Sequence, residues 1–274
     1  MPFSAKTAKK YLGQNFLIDD AVRKRIVAAC GLRPSDTVLE IGPGRGAITH
    51  DLLKGASTVY AIEKDAALIR HLKDNISDPS FHPIEADFLT HDLSALPTIH
   101  KVIGNIPYNI STPIIEKLIR HRSLCADAFL TVQREFAQRL AAAANTKDYG
   151  ALTCFVQYYA DIKILFKISP QSFRPIPRVT SCFIHLHFRQ PNEKADDEAL
   201  LFKITQTAFQ QRRKKIINAL SPIMEKERLK SVLENLNIAR GRRAENIPLS
   251  DYINLANTLS KIMTGPCPSR KTSV

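Results

Sequence analysis

No stretch of the 274-residue chain approaches the roughly 18 consecutive apolar residues of a membrane-spanning helix, which excludes a helical transmembrane protein. No apolar h-region separates the lysines of the first ten residues from the polar Gly13-Gln14-Asn15, so a cytosolic chain is expected. The five cysteines, Cys30, Cys125, Cys154, Cys182 and Cys267, are odd in number and never spaced Cys-x-x-Cys. That pattern argues against a disulfide framework and against a structural zinc site; reduced, mostly buried thiols and no metal are expected. Internal repeats are absent too. Acidic residues are in short supply, 26 against 39 Lys and Arg, and the resulting net charge of +13 favours a polyanionic partner, because each phosphate neutralised releases counterions. Surplus lysine that serves only solubility is the plainer alternative. With 44% hydrophobic and 24% charged residues the composition is globular, and the length suits two average domains or one large domain with an appendage.

Short apolar runs alternate with helical patterns through the first two-thirds of the chain. Thr37 to Ile41, Thr58 to Ile62, Lys101 to Ile103 and Ala128 to Val132 read as buried strands; Ala47 to Lys54, Ala66 to Asn75, Pro113 to His121 and Glu135 to Ala144 carry the 3.6-residue period of helices between them. Strand, helix, strand at this spacing implies right-handed parallel crossovers and a doubly wound α/β sheet, with ligands at the carboxyl ends of its strands. Val179 to Phe188 alternates like a further strand of the same sheet, and Gln190-Pro191-Asn192-Glu193-Lys194 reads as a polar linker. Two domains are therefore expected, residues 1–190 and residues 191–274. Beyond the linker only helical patterning is visible, with Phe202, Phe209 and Ile216 at seven-residue spacing, and Gly265 to Val274 reads as a frayed tail. Residues 1–190 carry +7 and the last 84 residues +6, so the helical part is the more densely basic. Arg212-Arg213-Lys214-Lys215, read as more than one helical turn, cannot all hide along the Phe202 stripe; the four are candidate nucleic-acid phosphate contacts, with a solvated helix face as the lesser reading.

Glu40-Ile41-Gly42-Pro43-Gly44-Arg45-Gly46-Ala47 follows the first strand and opens a helix, and its glycines let backbone approach a ligand closely. Alone it also fits a dinucleotide fingerprint or a tight turn that binds nothing. Glu63 ends the second strand 21 residues after Gly42, where a carboxylate can accept both ribose hydroxyls of an adenosine-containing ligand. Asp87, beside Phe88 after the third strand region, suits an acceptor for the adenine amino group as well as it suits a helix cap. The discriminating element is Gly104-Asn105-Ile106-Pro107-Tyr108-Asn109 at the end of the fourth strand. An exocyclic adenine amine has a delocalised lone pair, so methylating it requires acceptors that help the nitrogen become tetrahedral; Asn105 and the Ile106 carbonyl can be those acceptors. Tyr108 offers a face on which a splayed-out base stacks, and Pro107 fixes the turn that aims them together. Asparagine takes no proton, which leaves to water from the methylated product.

Leu12 to Leu17, Glu40 to Ala47, Gly104 to Pro113, Gln133-Arg134-Glu135, Phe173 to Ser181 and Gln211 to Lys215 together resemble the ribosomal RNA adenine dimethyltransferases of the KsgA type, in order from about Tyr11 to about Asn218. The resemblance implies a class I methyltransferase fold, a mostly parallel seven-stranded sheet with a small all-α C-terminal domain. It also implies S-adenosyl-L-methionine as methyl donor and, as substrate, two adjacent adenosines in the 3′-terminal hairpin of small-subunit ribosomal RNA, dimethylated on the immature 30S subunit by a monomer. Carried over by motif, the donor-binding residues are Asn15, Leu17, Gly42, Gly44, Glu63, Asp87 and Asn105, and the base-holding residues are Asn105, Ile106, Pro107, Tyr108 and Phe173. Phe173 would be a second aromatic opposite Tyr108, although packing inside a loop is an equal reading of it. Ile106 stands where that family usually has Leu, and Ile is common in the related macrolide-resistance methyltransferases of large-subunit RNA. Those enzymes, a catalytically idle RNA-binding factor on the same fold and, last, a nicotinamide dehydrogenase are the alternatives.

Overall fold

A computed structural model describes residues 15–264. The tail Gly265 to Val274, Cys267 and residues 12–14 of the first motif lie outside the described residues. Short strand Phe16–Leu17 (β1) leads to helix Asp20–Ala29 (α1). Asp19 caps that helix, its Oδ1 accepting from the Ala21 and Val22 amides at 3.0 and 3.1 Å, as an N-cap carboxylate does for amides with no intrahelical partner. The Val22 amide, with the Ser172 hydroxyl, holds the Asp19 carboxyl below its usual range. The apolar runs become strands Thr37–Ile41 (β2) and Thr58–Glu63 (β3), with helices Thr49–Gly55 (α2) and Ala66–Asn75 (α3) after them. Strand Phe81–Glu85 (β4), strand Lys101–Asn105 (β5), helix Ser111–Arg120 (α4), strand Asp127–Gln133 (β6) and helix Arg134–Leu140 (α5) continue the alternation. Helix Ala151–Tyr159 (α6) precedes strand Ala160–Ile168 (β7), the two-residue Phe173–Arg174 (β8) and strand Ser181–Phe188 (β9).

Seven strands form one sheet in the order β4-β3-β2-β5-β6-β9-β7, while β1 and β8 pair antiparallel beside it, Leu17 opposite Phe173. β2, β3, β4, β5 and β6 run parallel, and β9 is antiparallel to both β6 and β7. This is the mostly parallel seven-stranded sheet that the resemblance implies. Pro83 sits in β4 at the sheet edge, where a missing amide costs no ladder bond. One face carries Val38, Val59, Ala61, Ile103, Phe129 and Phe183 against Leu17, Ile26, Leu52 and Leu72. Each such side chain contributes about 1.5–3 kcal/mol through burial.

The chain divides into two compact units: residues 15–141 with Tyr159–Gln190, and Ala142–Tyr158 with residues 191–264. It changes unit at the linker, as the Gln190-Pro191 composition suggests. The expectation that all of 1–190 forms one unit is corrected, since Ala142–Tyr158 belongs with the second. There Tyr149 and Phe155 meet Phe209 and Phe202 edge-on, a contact that apolar periodicity read along one segment does not reveal. The second unit is otherwise helical, with helices Glu198–Gln210 (α7), Ile216–Ala219 (α8), Lys226–Asn235 (α9) and Leu249–Thr264 (α10). Its innermost stripe on α7 is Leu201, Ile204 and Ala208 and not the half-buried Phe202 and Phe209. Among the described residues no helix is long and apolar enough to cross a membrane.

Candidate active site

The chain runs from β2 outward through β3 and β4, then returns to the other flank of β2 with β5, so the carboxyl ends of β2 and β5 lie side by side where the strand order reverses. Open α/β sheets hold their ligands in such a crevice. A cavity of about 600 Å³ opens there, lined entirely by the first unit. Gly42 and Gly44 turn the chain at φ of 66° and 60°, a left-handed region that side chains disfavour, and a Cβ on Gly44 would stand 3.1 Å from the Phe16 ring. The loop passes through a turn before α2 begins at Thr49, two residues later than the sequence pattern suggests. Beneath it Glu40 is buried and accepts from the Thr49 hydroxyl at 2.7 Å; burial pushes its carboxyl up to about 8.

Glu63 is buried on the cavity wall, where its Oε2 accepts from the Gly44 amide at 3.2 Å and its Oε1 from the Asp65 amide at 2.9 Å. Burial raises its pKa against those two amides. Each oxygen keeps a second lone pair, so a carboxylate aimed by the glycine loop can still take a pair of hydroxyls. Asp87 also lines the cavity. Lys64 bonds its Oδ2 at 2.8 Å and holds the carboxyl below its usual range, while Oδ1 accepts from the Leu89 amide at 2.9 Å. Asp87 thus heads a turn and faces the cavity at once, uniting the two readings of it. Lys117, unremarked in the sequence because it sits in an ordinary helical pattern, braces the same turn: its Nζ donates to the Leu89 and His91 carbonyls and lies 5.4 Å from the Phe88 ring centroid.

Asn105, Ile106, Pro107 and Tyr108 line the cavity at the end of β5. The close fit there explains Gly104, whose Cβ would meet the Ile41 carbonyl oxygen at 3.0 Å. Asn105 Nδ2 donates to the Asn15 carbonyl at 2.8 Å, and Oδ1 accepts no hydrogen bond among the described residues. Ile106 is buried, and Pro107 leads into a single 3₁₀ turn, Tyr108–Ile110. The Tyr108 hydroxyl bonds the buried Ser181 hydroxyl at 2.5 Å, across from β5 on β9; burial raises the phenol's pKa. Ser181 could have been sought in the sequence as a small polar residue in an apolar strand. Asn15 and Leu17 complete the wall from the N-terminal side.

Two expectations are corrected. Phe173 is 1% exposed and off the cavity wall, packed in the core with Ile26 and Phe183, so in this structure it offers no ring face to a base. Arg212 to Lys215 form no helical turn but the bend between α7 and α8. Arg212 is tied down there. Its Nη2 donates to the Lys147 and Tyr149 carbonyls at 2.8 and 3.1 Å and pairs with Glu245 at 3.3 Å. Arg213, Lys214 and Lys215 are exposed and make no ion pair among the described residues.

A crevice at the strand-order reversal, two acids on successive strand ends and an amide whose oxygen has no partner among the described residues describe a nucleoside-type ligand beside a hydrogen-bond acceptor site. A model of the ribosomal RNA adenine dimethylases matches residues 5–261. The chain belongs to that family. It is an enzyme, an adenine dimethyltransferase of ribosomal RNA, and S-adenosylmethionine is its methyl donor. The enzyme is 39% identical over 263 residues to the ribosomal RNA small subunit methyltransferase A of Alkaliphilus oremlandii, with 92% of each chain covered. A crystal structure of a dimethyladenosine transferase from Plasmodium falciparum is similar at a TM-score of 0.79 and 26% identity, over 90% of this enzyme and 98% of that chain. The 23S rRNA methyltransferase ErmE is similar at a TM-score of 0.71 and 26% identity, over 90% and 100%.

Proposed function

We propose that the enzyme dimethylates the N6 amines of two adjacent adenosines in the 3′-terminal hairpin of 16S ribosomal RNA, acting as a monomer on the immature 30S subunit in the cytoplasm. The observation that carries the reading is the Asn105 side chain: with Nδ2 committed to the Asn15 carbonyl, Oδ1 is the atom offered to a substrate amine. Together with the Ile106 carbonyl it accepts the two N6 hydrogens, which localises the lone pair on nitrogen as attack demands. Tyr108 stacks the flipped base and Pro107 fixes the turn that aims it. S-adenosylmethionine, when bound, supplies an electrophilic methyl group on a sulfonium. The cavity suits such a ligand: Gly42 and Gly44 let backbone approach it, Asn15 and Leu17 close one side, Glu63 accepts its ribose hydroxyls and Asp87 its adenine amine. Oδ1 cannot act as a base, so the proton departs to water after transfer.

The small-subunit substrate is supported by the 39% likeness to a small subunit methyltransferase, against 26% to the 23S enzyme, despite Ile106. In the second unit the exposed Arg213, Lys214 and Lys215 hold RNA phosphates, which set register and not base identity; Arg212 positions their bend. The test is labelled methyl transfer to immature small and large ribosomal subunits, with the product base identified. N6,N6-dimethyladenosine at two adjacent sites of the small subunit is expected; label in the large subunit alone transfers the enzyme to the resistance-type reaction.

A further inference from the structure

At the opposite ends of the strands a second cluster of chemistry-bearing side chains meets. Asp127 opens β6, four residues before the cavity-lining Thr131, a separation of roughly 13 Å along a strand. In β9, His185 and His187 are two residues apart and so project from the same face. The antiparallel register sets Asp127 opposite His187. His185 Nε2 lies 2.6 Å and His187 Nδ1 2.9 Å from one oxygen, Asp127 Oδ1, and the three atoms fall within 4.8 Å of one another. The His185 ring is stacked flat on Phe129, centroids 4.4 Å apart and planes 2° apart, which fixes its aim before any ligand arrives.

We propose that Asp127, His185 and His187 form a binding site for a divalent first-row transition-metal ion, with zinc the best-suited occupant. Two imidazole nitrogens gathered within hydrogen-bond distance of one carboxylate oxygen are a borderline-soft donor set, which suits zinc, nickel or copper and not magnesium or calcium, whose sites are built from oxygens. Three protein ligands leave a coordination position for water. The partial exposure of the three side chains, 25, 22 and 51%, gives water and the ion a way in. The site departs from the sequence expectation of no metal, which rested on the missing Cys-x-x-Cys pattern; the cysteines among the described residues are all buried and take no part in it. Bound there, the ion ties β6 to β9, the strand that also carries the Tyr108 partner Ser181, and stabilises the sheet by mass action without touching the transferred methyl group.

The full chain, untagged and stripped with chelator, is titrated calorimetrically with zinc chloride, and cobalt(II) is added in parallel as a spectroscopic stand-in. One ion per chain is expected, with visible d–d bands and no thiolate-to-metal charge transfer, and thermal unfolding should move upward with zinc. His187→Gln, half-exposed and safe for folding, and His185→Gln should each weaken binding at least about tenfold and remove the zinc-induced thermal shift. Methyl transfer by the chelated wild type should be unchanged. Absence of saturable binding, a thiolate charge-transfer band, or equal binding by the His185→Gln/His187→Gln double variant overturns the assignment. Should a variant fail to fold, the wild-type cobalt spectrum and stoichiometry decide it.

Discussion

Replacing Glu40 by Gln should stabilise the enzyme, and increasingly so as the pH rises. The carboxyl is buried beneath the glycine loop and its pKa is raised from 4.5 to about 8, first by desolvation and in part by the Glu63 charge. A folded-state pKa above the unfolded value means that stability is fully present below pH 4.5 and is lost as the pH climbs through 8. At about 1.4 kcal/mol per unit, a proton held over that interval amounts to about 5 kcal/mol once the pH exceeds 8, of which about 2 has already accrued at pH 6. Glutamine keeps an oxygen for the Thr49 hydroxyl and has no proton to lose. Urea unfolding of both proteins at about pH 6 and about pH 8.5 should therefore show the glutamine variant gaining a further 2–3 kcal/mol over that interval. The double difference cancels every titrating group that is not coupled to Glu40, which leaves only the neighbouring Glu63 carboxyl to be accounted for. A gap between the two proteins that stays constant with pH would refute the reasoning, and would mean that Glu40 is ionised already at pH 6 or is reached by water.

Ser181→Ala should cut turnover about tenfold while leaving donor affinity unchanged in calorimetry, because it frees the Tyr108 ring without touching the donor wall; loss of donor affinity would assign Ser181 to the other half of the cavity. Glu63→Ala should weaken S-adenosylmethionine binding by about 1–3 kcal/mol, with Glu63→Gln intermediate since it retains one acceptor, and equal affinities would remove the ribose assignment. Arg212→Ala should destabilise the second unit by about 2 kcal/mol in chemical denaturation through two carbonyls left without their donor. Arg213→Gln and Lys214→Gln should instead leave stability within about 0.5 kcal/mol and lower the salt dependence of ribosomal RNA binding by about one unit of slope each. A destabilised Lys214→Gln, or a salt slope unmoved by both, would contradict this division of labour.

Where the sequence was easily read, one physical signal dominated. β2, β3, β5 and β6 are buried on both faces and so appear as largely apolar runs, interrupted only by the buried Glu40 and Thr131. The edge strands hid themselves: β4 contains His82 and Pro83, and the alternation of β7 slips at a register shift between Ile164 and Phe166. The glycine loop, Glu63, Asp87 and Asn105 to Tyr108 were legible because each follows a strand, and strand ends in such a sheet share one crevice. Phe173 misled, since an aromatic beside a Pro-rich loop carries no mark of which way a two-residue strand will turn it. Arg212 misled for a related reason: a run of four cations gives no hint that one of them reaches back to residues 147 and 149.

The bond from Asn105 Nδ2 to the Asn15 carbonyl joins residues 90 positions apart, and it does more than fasten a strand to the N-terminal segment. A carboxamide rotated by half a turn has almost the same shape, yet it would present N–H where the substrate amine also presents N–H, and the two would repel. With Asn105 in the proposed role, chemical competence at this position is a matter of symmetry breaking: two rotational states of equal volume, only one of them able to receive an adenine. The Asn15 carbonyl supplies the bias between them, about 1 kcal/mol for one neutral hydrogen bond. What reads in the sequence as an N-terminal prelude to the fold thus acts as a reading key for a motif encoded nearly a third of the chain away.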